Sequence, residues 1–365
     1  MGLTQIATTT PRDGVVVQQW SKKVEFWAYK KMFLSRLIGT VVAEKHELKK
    51  EKGDVVTITT VAPLIGAGKT DHQQRNDGGE ALATFTDRID LHSNKHECGN
   101  DGPLTEQRTI LDLRNLAKDG LSEWQAQLLD DKFVNVASGI VTGDALVAAN
   151  APSTNRYWCG GQTTAGVVTK RTNVAALTSA ELMGPEVLSL IKRKASIPVG
   201  QTYPKLRPIT WEGKKMYVCI MHTNQMRDFR RAASFLNKAY YVDAKEWNNP
   251  LTSGAEFIWD GVVCYEWEKI LTRTGAGGTT LGSQAFEAGV GVTNGVTAGR
   301  ALFLGADAVG LAFGGTNKAR WSEYTFPHGD GWSAGVETIN GFKKIEFAGE
   351  DFGVIAFDTA CTPDA

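Results

Sequence analysis

The chain has 365 residues, enough for one large core or for two to three lobes. Its 40 lysines and arginines balance 40 aspartates and glutamates, which argues against a phosphate-neutralising nucleic-acid binder or a polybasic membrane clamp, since both need a basic surplus. A chain without net charge also resists self-association less than a charged one.

Nothing at the start marks the chain for export. Residues Met1 to Pro11 lack a basic segment followed by an apolar one, and Ile6 stands where a myristoylation signal has Ser or Thr. No apolar run approaches the roughly 18 residues of a membrane span. Five scattered cysteines, Cys98, Cys159, Cys219, Cys264 and Cys361, read as reduced thiols and not as a disulfide framework.

Residues 1 to about 17 read as an extended, Thr-rich arm. From Gln18 to Ile38 the pattern turns helical, with Trp20, Val24 and Trp27 on one stripe and Phe26, Tyr29, Phe33 and Leu37 beside it. A partly buried helix accounts for this stripe. Its aromatic content also suits a docking face, which makes Trp20 and Trp27 contact candidates.

Asp54–Thr60 reads as a strand. Ala81–His92 reads as a second one, placing Phe85, Ile89 and Leu91 on one face and Thr84, Thr86, Arg88 and Asp90 on the other. The two flank about twenty polar residues and predict a long two-stranded tongue, which is marginal alone and needs a surface to lie on. Within that tongue, Ala62–Asp71 ends in Gly68-Lys69-Thr70, the tail of a phosphate-binding P-loop. The rest of the motif fails: Pro63 occupies the position of the first glycine, and the residues after Thr70 have no helical period. A nucleotide-binding enzyme using Lys69 is therefore the competing class, and the weaker one.

A spine helix follows. Thr105 is its expected N-cap, with Glu106 at the positive end of the dipole. Ile110, Leu113, Ala117, Leu121, Trp124 and Leu128 then recur every three or four residues as far as Phe133 and Val136, about nine turns in all. Residues 139–176 read as a loop. A second helix is expected from Thr178, whose spacing to Glu181 forms a capping box, with Gly184-Pro185 interrupting or restarting it. Lys215–Met221 is a buried-type strand and Thr223–Arg231 a helix, an α/β succession. Gly275–Arg300, with eight glycines, reads as a surface loop, Arg300–Leu304 as a strand and Gly341–Asp358 as a closing hairpin.

Two clusters invite chemistry. His92, His96 and Cys98 carry metal-ligand side chains but lie on a strand without a fourth ligand. Asp260, Glu266 and Glu268 offer carboxylates, again at strand spacing, where a solvated or interface face is the ordinary reading. Gly-x-Ser-x-Gly is absent. The sequence offers no catalytic constellation and implies no cofactor and no metal.

The order of parts resembles the tailed-phage major capsid proteins, in particular the coat-protein family typified by coliphage N-four. The resemblance rests on Val24–Phe33, Glu51–Asp54, Pro63–Gly68, Thr105–Arg108 with Asp112–Arg114, Ala301–Ala306 and Phe347–Asp358, collinear along most of the chain. It implies an α+β, Hong Kong 97-type fold. In that fold residues 1–50 form an N-terminal arm and entry helix, 51–100 an extended loop (E-loop), and 101–175 the spine helix of a peripheral (P) domain with an insertion. Residues 176–335 form an axial (A) domain, and 336–365 a segment returning to the P-domain. The resemblance further implies hexamers and pentamers of the chain itself, an icosahedral virion shell around double-stranded DNA held without sequence specificity, and assembly in the host cytoplasm without a membrane. Scaffolding, portal and decoration or cement proteins are the implied partners. Because the arm begins at once, the scaffold is expected to be separate or already removed. An encapsulin-like compartment shell shares the fold and is the structural alternative. In the tongue, Leu64, Ile65, Lys69, Asp71, Arg75 and Asp77 are expected to meet a neighbouring subunit.

Overall fold

The computed structural model describes residues 32–45, 55–61, 84–100, 112–139, 151–197, 205–211, 213–232, 255–268, 296–315, 319–326 and 331–362, with a few single positions between them. In chain order the strands and helices begin with β1 (Val42–Lys45), β2 (Val55–Val61), β3 (Thr84–Asp90), β4 (His92–Asn100), α1 (Leu113–Ser138), β5 (Tyr157–Gln162) and β6 (Val168–Lys170). Next come α2 (Pro185–Ser196), β7 (Ile209–Trp211), β8 (Lys214–Met221), α3 (Thr223–Arg231), β9 (Phe257–Trp259), β10 (Val262–Glu266) and β11 (Thr272–Arg273). The last are β12 (Ala298–Leu304), β13 (Val309–Phe313), β14 (Arg320–Thr325), β15 (Trp332–Lys344), β16 (Glu346–Phe347), β17 (Glu350–Asp351) and β18 (Val354–Ala360).

The larger sheet has nine strands in the order β6-β5-β18-β12-β8-β10-β9, with β7 on β8 and β11 on β12. Its central strands β10, β12 and β18 read as near-continuous apolar runs because both faces are covered. On one face Tyr217, Cys219, Phe303 and Phe357 pack against Val187 and Ile191 of α2 and Phe229 of α3. On the other, Val218, Ile220, Leu302 and Val354 pack against Phe133, Val134 and Ala137 of α1.

The second sheet has five strands. β15 is its axis: β4 pairs with one edge along its first nine residues, while β14 and β13 take the opposite edge in succession, and β1 adds to β13 in parallel. The N-terminal half of α1 lies on this sheet, with Leu121 buried against Trp321, Trp332 and Val336. One helix therefore belongs to both cores, its front half under the five-stranded sheet and its rear half under the nine-stranded one.

The spine helix is shorter than its sequence pattern suggests. Asp112 is extended (φ −73°, ψ 96°) and its carboxylate accepts from the amides of Arg114 and Asn115, so the helix starts there; Thr105, the expected cap, lies outside the described residues. Gly139 ends it in the left-handed conformation (φ 67°). The 26 residues make about seven turns. Midway, the Asp130 carboxylate accepts from the amides of Phe33 and Leu34 at 3.0 and 2.8 Å, fastening the N-terminal segment to the spine. That segment is a 3-10 turn at Leu34–Arg36 leading towards β1, and the rest of the helical stripe expected from Gln18 lies outside the described residues.

Four further expectations are corrected. Residues 139–176 are not all loop: β5 pairs in parallel with β18 and carries Trp158 into the core, while β6 forms the edge beyond it. A Cβ on Gly161 would sit 1.9 Å from the Glu181 carbonyl, so this strand is built for close backbone approach. The Thr178–Glu181 signature does make a bond, the Thr178 amide donating to the Glu181 carboxylate at 2.9 Å, yet it closes a turn, and the helix starts at Pro185. Gly341–Asp358 is not one hairpin. β15 and β18 lie in different sheets, and only the short β16–β17 ribbon turns back between them. The expected surface loop from Gly275 also ends earlier, because Ala298, Gly299 and Arg300 are already buried in β12.

A buried polar network ties the spine to the larger sheet. Arg300 and Asp358, on neighbouring strands, pair through two contacts of 2.8 Å, and Arg300 also donates to the Ser138 carbonyl at the negative end of α1. The Tyr157 hydroxyl donates to Asp358 at 2.7 Å. Burial first, and the Asp358 charge second, push this phenol far above the usual tyrosine range, so it stays protonated.

Candidate functional site

The tongue has a root and a free part. β2 and β3 pair antiparallel from Val55↔Asp90 to Val61↔Thr84. At the root Val56, Ile58 and Ile89 are buried with Ile345, Phe347 and Phe352. Gly310 lies directly beneath them: a Cβ there would sit 2.6 Å from Ile58 Cδ1 and 2.7 Å from Ile89 Cδ1, so those side-chain ends would have to shift. Asp87, on the same face as Ile89, accepts from Lys343 Nζ at 3.2 Å and from the Glu346 amide at 2.7 Å. These contacts hold the root of the hairpin against the five-stranded sheet and the β16–β17 ribbon.

Further out the burial ends. Phe85 still packs on Phe347 at 4.4 Å between centroids, the rings tilted by 57°, but is partly exposed. Val61, Leu82 and Leu64 are 52, 62 and 63% exposed.

Of the predicted contact residues, Leu64 is thus exposed at the tongue. Ile65, Lys69, Asp71, Arg75, Asp77, Trp20 and Trp27 lie outside the described residues. His92, His96 and Cys98 lie along β4, where the His96 ring packs on Trp124 at 4.7 Å and Cys98 packs against the Leu121–Trp332 cluster. Among the described residues no three potential ligands converge on a metal position. Asp260 pairs with Lys192 at 2.8 Å, whereas Glu266 and Glu268 open onto a cavity of about 660 Å³ that Asp260 does not line. The three carboxylates are divided between two places. All five cysteines are free thiols, Cys98 half-buried and the other four buried.

Sequence reasoning missed this acidic cavity and a basic one of about 410 Å³ beside β5 and β6, because each gathers residues from segments far apart in the chain. Among the described residues no helix is long and apolar enough to cross a membrane.

The chain matches the family described as "Phage capsid protein" over residues 8–362. It is similar to the "Major capsid protein" of Pseudomonas phage KPP25, with 27% identity over 373 residues, 92% of this chain and 93% of that one. Among solved structures, the capsid of Ralstonia phage GP4 superposes with a TM-score of 0.76 at 24% identity, covering 89% of this chain and 88% of the other. The cyanophage Pam1 capsid subunit gives 0.66 at 20% identity, covering 91% and 94%. The mixed sheets, the long helix and the projecting tongue are thus the α+β, Hong Kong 97-type architecture of tailed-phage shells. With the family match running almost from end to end, the chain belongs to the phage capsid protein family.

Proposed function

We propose that this major capsid protein builds the head of a tailed phage through head-to-tail contacts, each copy laying its tongue across the next. The observation that carries this reading is the tongue itself, anchored at Val56, Ile58 and Ile89 and uncovered at Val61, Leu64 and Leu82. A neighbour supplies the burial that the hairpin lacks. Head-to-tail contacts that close give rings, here hexamers and pentamers, which complete an icosahedral shell around double-stranded DNA. A chain with no net charge suits a wall that encloses DNA without reading it. The role is structural and uses no cofactor. Scaffolding, portal and decoration proteins are the expected partners, and the host cytoplasm the expected place of assembly.

Within this reading β2 and β3, in the segment 51–100, form the E-loop hairpin and α1 is the P-domain spine, while the pairing of β4 with β15 supports assigning β4 to the P-domain. The pairing of β13 and β14 with β15, and the packing of α1 on β15, support assigning β13 and β14 to the P-domain. The pairing of β5 with β18 supports assigning the 151–175 segment to the A-domain sheet. Electron microscopy of the purified chain over a range of concentration tests the proposal. Rings or closed shells are expected; a monomer that persists at every concentration and salt contradicts it.

A further inference from the structure

The basic hollow beside β5 and β6 takes no part in the tongue. Its volume of about 410 Å³ falls within the ~300–1,000 Å³ usual for small-ligand pockets. Lys170 at the end of β6, and Arg193 and Lys194 in the last turn of α2, line it as exposed cations. Trp158 and Ile355, both buried, form an apolar floor, with Leu190 and Ile197 beside them. No carboxylate is among its lining side chains.

Arg193 and Lys194 alone would be the ordinary basic complement of a helix C-terminus. Lys170 comes from a different element and brings like charge to them. None of the three has an ion pair among the described residues, whereas Lys192 on the same helix has Asp260 at 2.8 Å. The carboxylates behind this wall are engaged: Glu350 accepts from Asn155 at 2.8 Å, and Asp351 pairs with Lys344 at 2.8 Å. Partial burial first, and Lys170 second, hold the Lys194 ammonium below the usual lysine range. Gathering like charges beside apolar surface is unfavourable until an anion joins them.

A single carboxylate would answer one of the three cations. A phosphate monoester carries about −1.5 to −2 charge at pH 7 and three acceptor oxygens, and a guanidinium such as that of Arg193 can hold two of them side by side. The apolar floor then asks for a phosphate attached to a body with an apolar face. We propose that the hollow binds a nucleotide, its phosphate among Lys170, Arg193 and Lys194 and its base against Leu190 and Ile197. A free nucleotide and an unpaired nucleotide of a nucleic-acid strand carry this chemistry alike, while duplex DNA offers the phosphate without the base. The site shares no residue with the P-loop fragment at Lys69, and it does not depend on the assembly reading.

Titration calorimetry of the full-length protein with adenosine 5′-monophosphate, inorganic phosphate, and short single-stranded and duplex DNA tests it. The nucleotide should bind more tightly than inorganic phosphate and should shield Lys170 and Lys194, but not Lys192, from acetylation read by mass spectrometry. Lys170→Gln with Lys194→Gln should weaken it by about tenfold or more, the worth of one bond to a charged group. Ile197→Ser, at a position already 48% exposed, should weaken the nucleotide and leave inorganic phosphate unchanged, and Lys192→Gln should change neither. A single strand that competes with the nucleotide names the strand as the source, and one that does not compete names the free nucleotide. The inference is overturned if neither probe shields the two lysines of the parent protein, a result that needs no variant to fold. It is overturned equally if duplex DNA binds as tightly as the single strand with Ile197→Ser without effect, which would leave a phosphate contact alone, or if Lys192→Gln weakens binding as much as the double change.

Discussion

Replacing Arg300 by Met should be among the most damaging single changes in the subunit. Arg300 and Asp358 are 1 and 0% exposed at their side chains, so removing the guanidinium strands a carboxylate in the core with the Tyr157 hydroxyl as its remaining donor. Breaking a buried pair from one side costs about 3–5 kcal/mol. Removing both charges, with Arg300→Met and Asp358→Leu, takes away the stranded anion, and such replacements range from neutral to about 1–4 kcal/mol stabilising. Against that gain, the Ser138 carbonyl and the Tyr157 hydroxyl lose partners, about 1–3 kcal/mol each where nothing replaces them. The double variant should therefore be more stable than the Arg300 single variant, and adding Tyr157→Phe should recover more. Urea denaturation of the unassembled subunit, followed by circular dichroism, measures all three. An Arg300→Met loss below about 1 kcal/mol, or a double variant weaker than the single, would refute the argument that this pair is desolvated and coupled.

At the tongue root, Ile89→Ala should cost about 2–5 kcal/mol, because the side chain is buried among Val56, Ile58 and Phe347; thermal melting checks it. Gly161→Ala should be severely destabilising, since its Cβ would meet the Glu181 carbonyl at 1.9 Å, and little soluble folded protein is expected on expression. Glu181 gives a pH prediction. Burial opposes its charge, but bonds from the Thr169 hydroxyl, the Thr178 amide and Arg171 outweigh it and hold the carboxyl below the usual range. A depressed folded value contributes stability above the unfolded value of about 4.3 that is lost as pH falls through the folded one. Glu181→Gln should therefore lower stability at neutral pH and flatten its decline below about pH 4, measured by denaturant titration across that window. Thiol labelling should modify Cys98 ahead of the other four, which burial keeps both inaccessible and, for Cys219, Cys264 and Cys361, well above the usual thiol range.

The sequence was most legible where one physical pattern dominated. Strict alternation from Phe85 to Leu91 announced β3, and the apolar run in β8 followed by the helix Thr223–Arg231 was legible for the same reason. It was least legible where buried positions hold polar side chains. β15 buries Thr338, Asn340 and Lys344, and Lys344 is satisfied by Asp351 at 2.8 Å, so this axial strand carries no continuous apolar signal. β5 was hidden by Gly160 and Gly161, which weaken a strand's signature for the same reason that they permit close backbone approach. The helix start was misplaced because Thr105-Glu106 and Asp112 are both good caps, and periodicity upstream of Asp112 favoured the first. The tongue was visible as an element, but its exposed apolar residues became distinguishable from its root only once Ala312, Ile345 and Phe347 were brought beneath it. The strand order of the two sheets, in which β5 joins β18 and β4 joins β15, is likewise something no local pattern encodes.

The central claim is that the tongue beyond its buried root clasps a neighbour and adds little to its own subunit. Val61 and Thr84 face each other across the hairpin, so residues 62–83 can be replaced by Asn-Gly, a two-residue turn suited to that twist. The replacement removes Leu64 and Leu82, both exposed, and leaves the buried root of Val56, Ile58 and Ile89 intact. Sedimentation and electron microscopy of this protein, beside circular dichroism and thermal melting, form the most direct measurement. The account predicts a cooperatively melting subunit close to the parent in stability that builds no shells. Normal shells from the shortened chain would contradict it, and so would a chain that no longer folds.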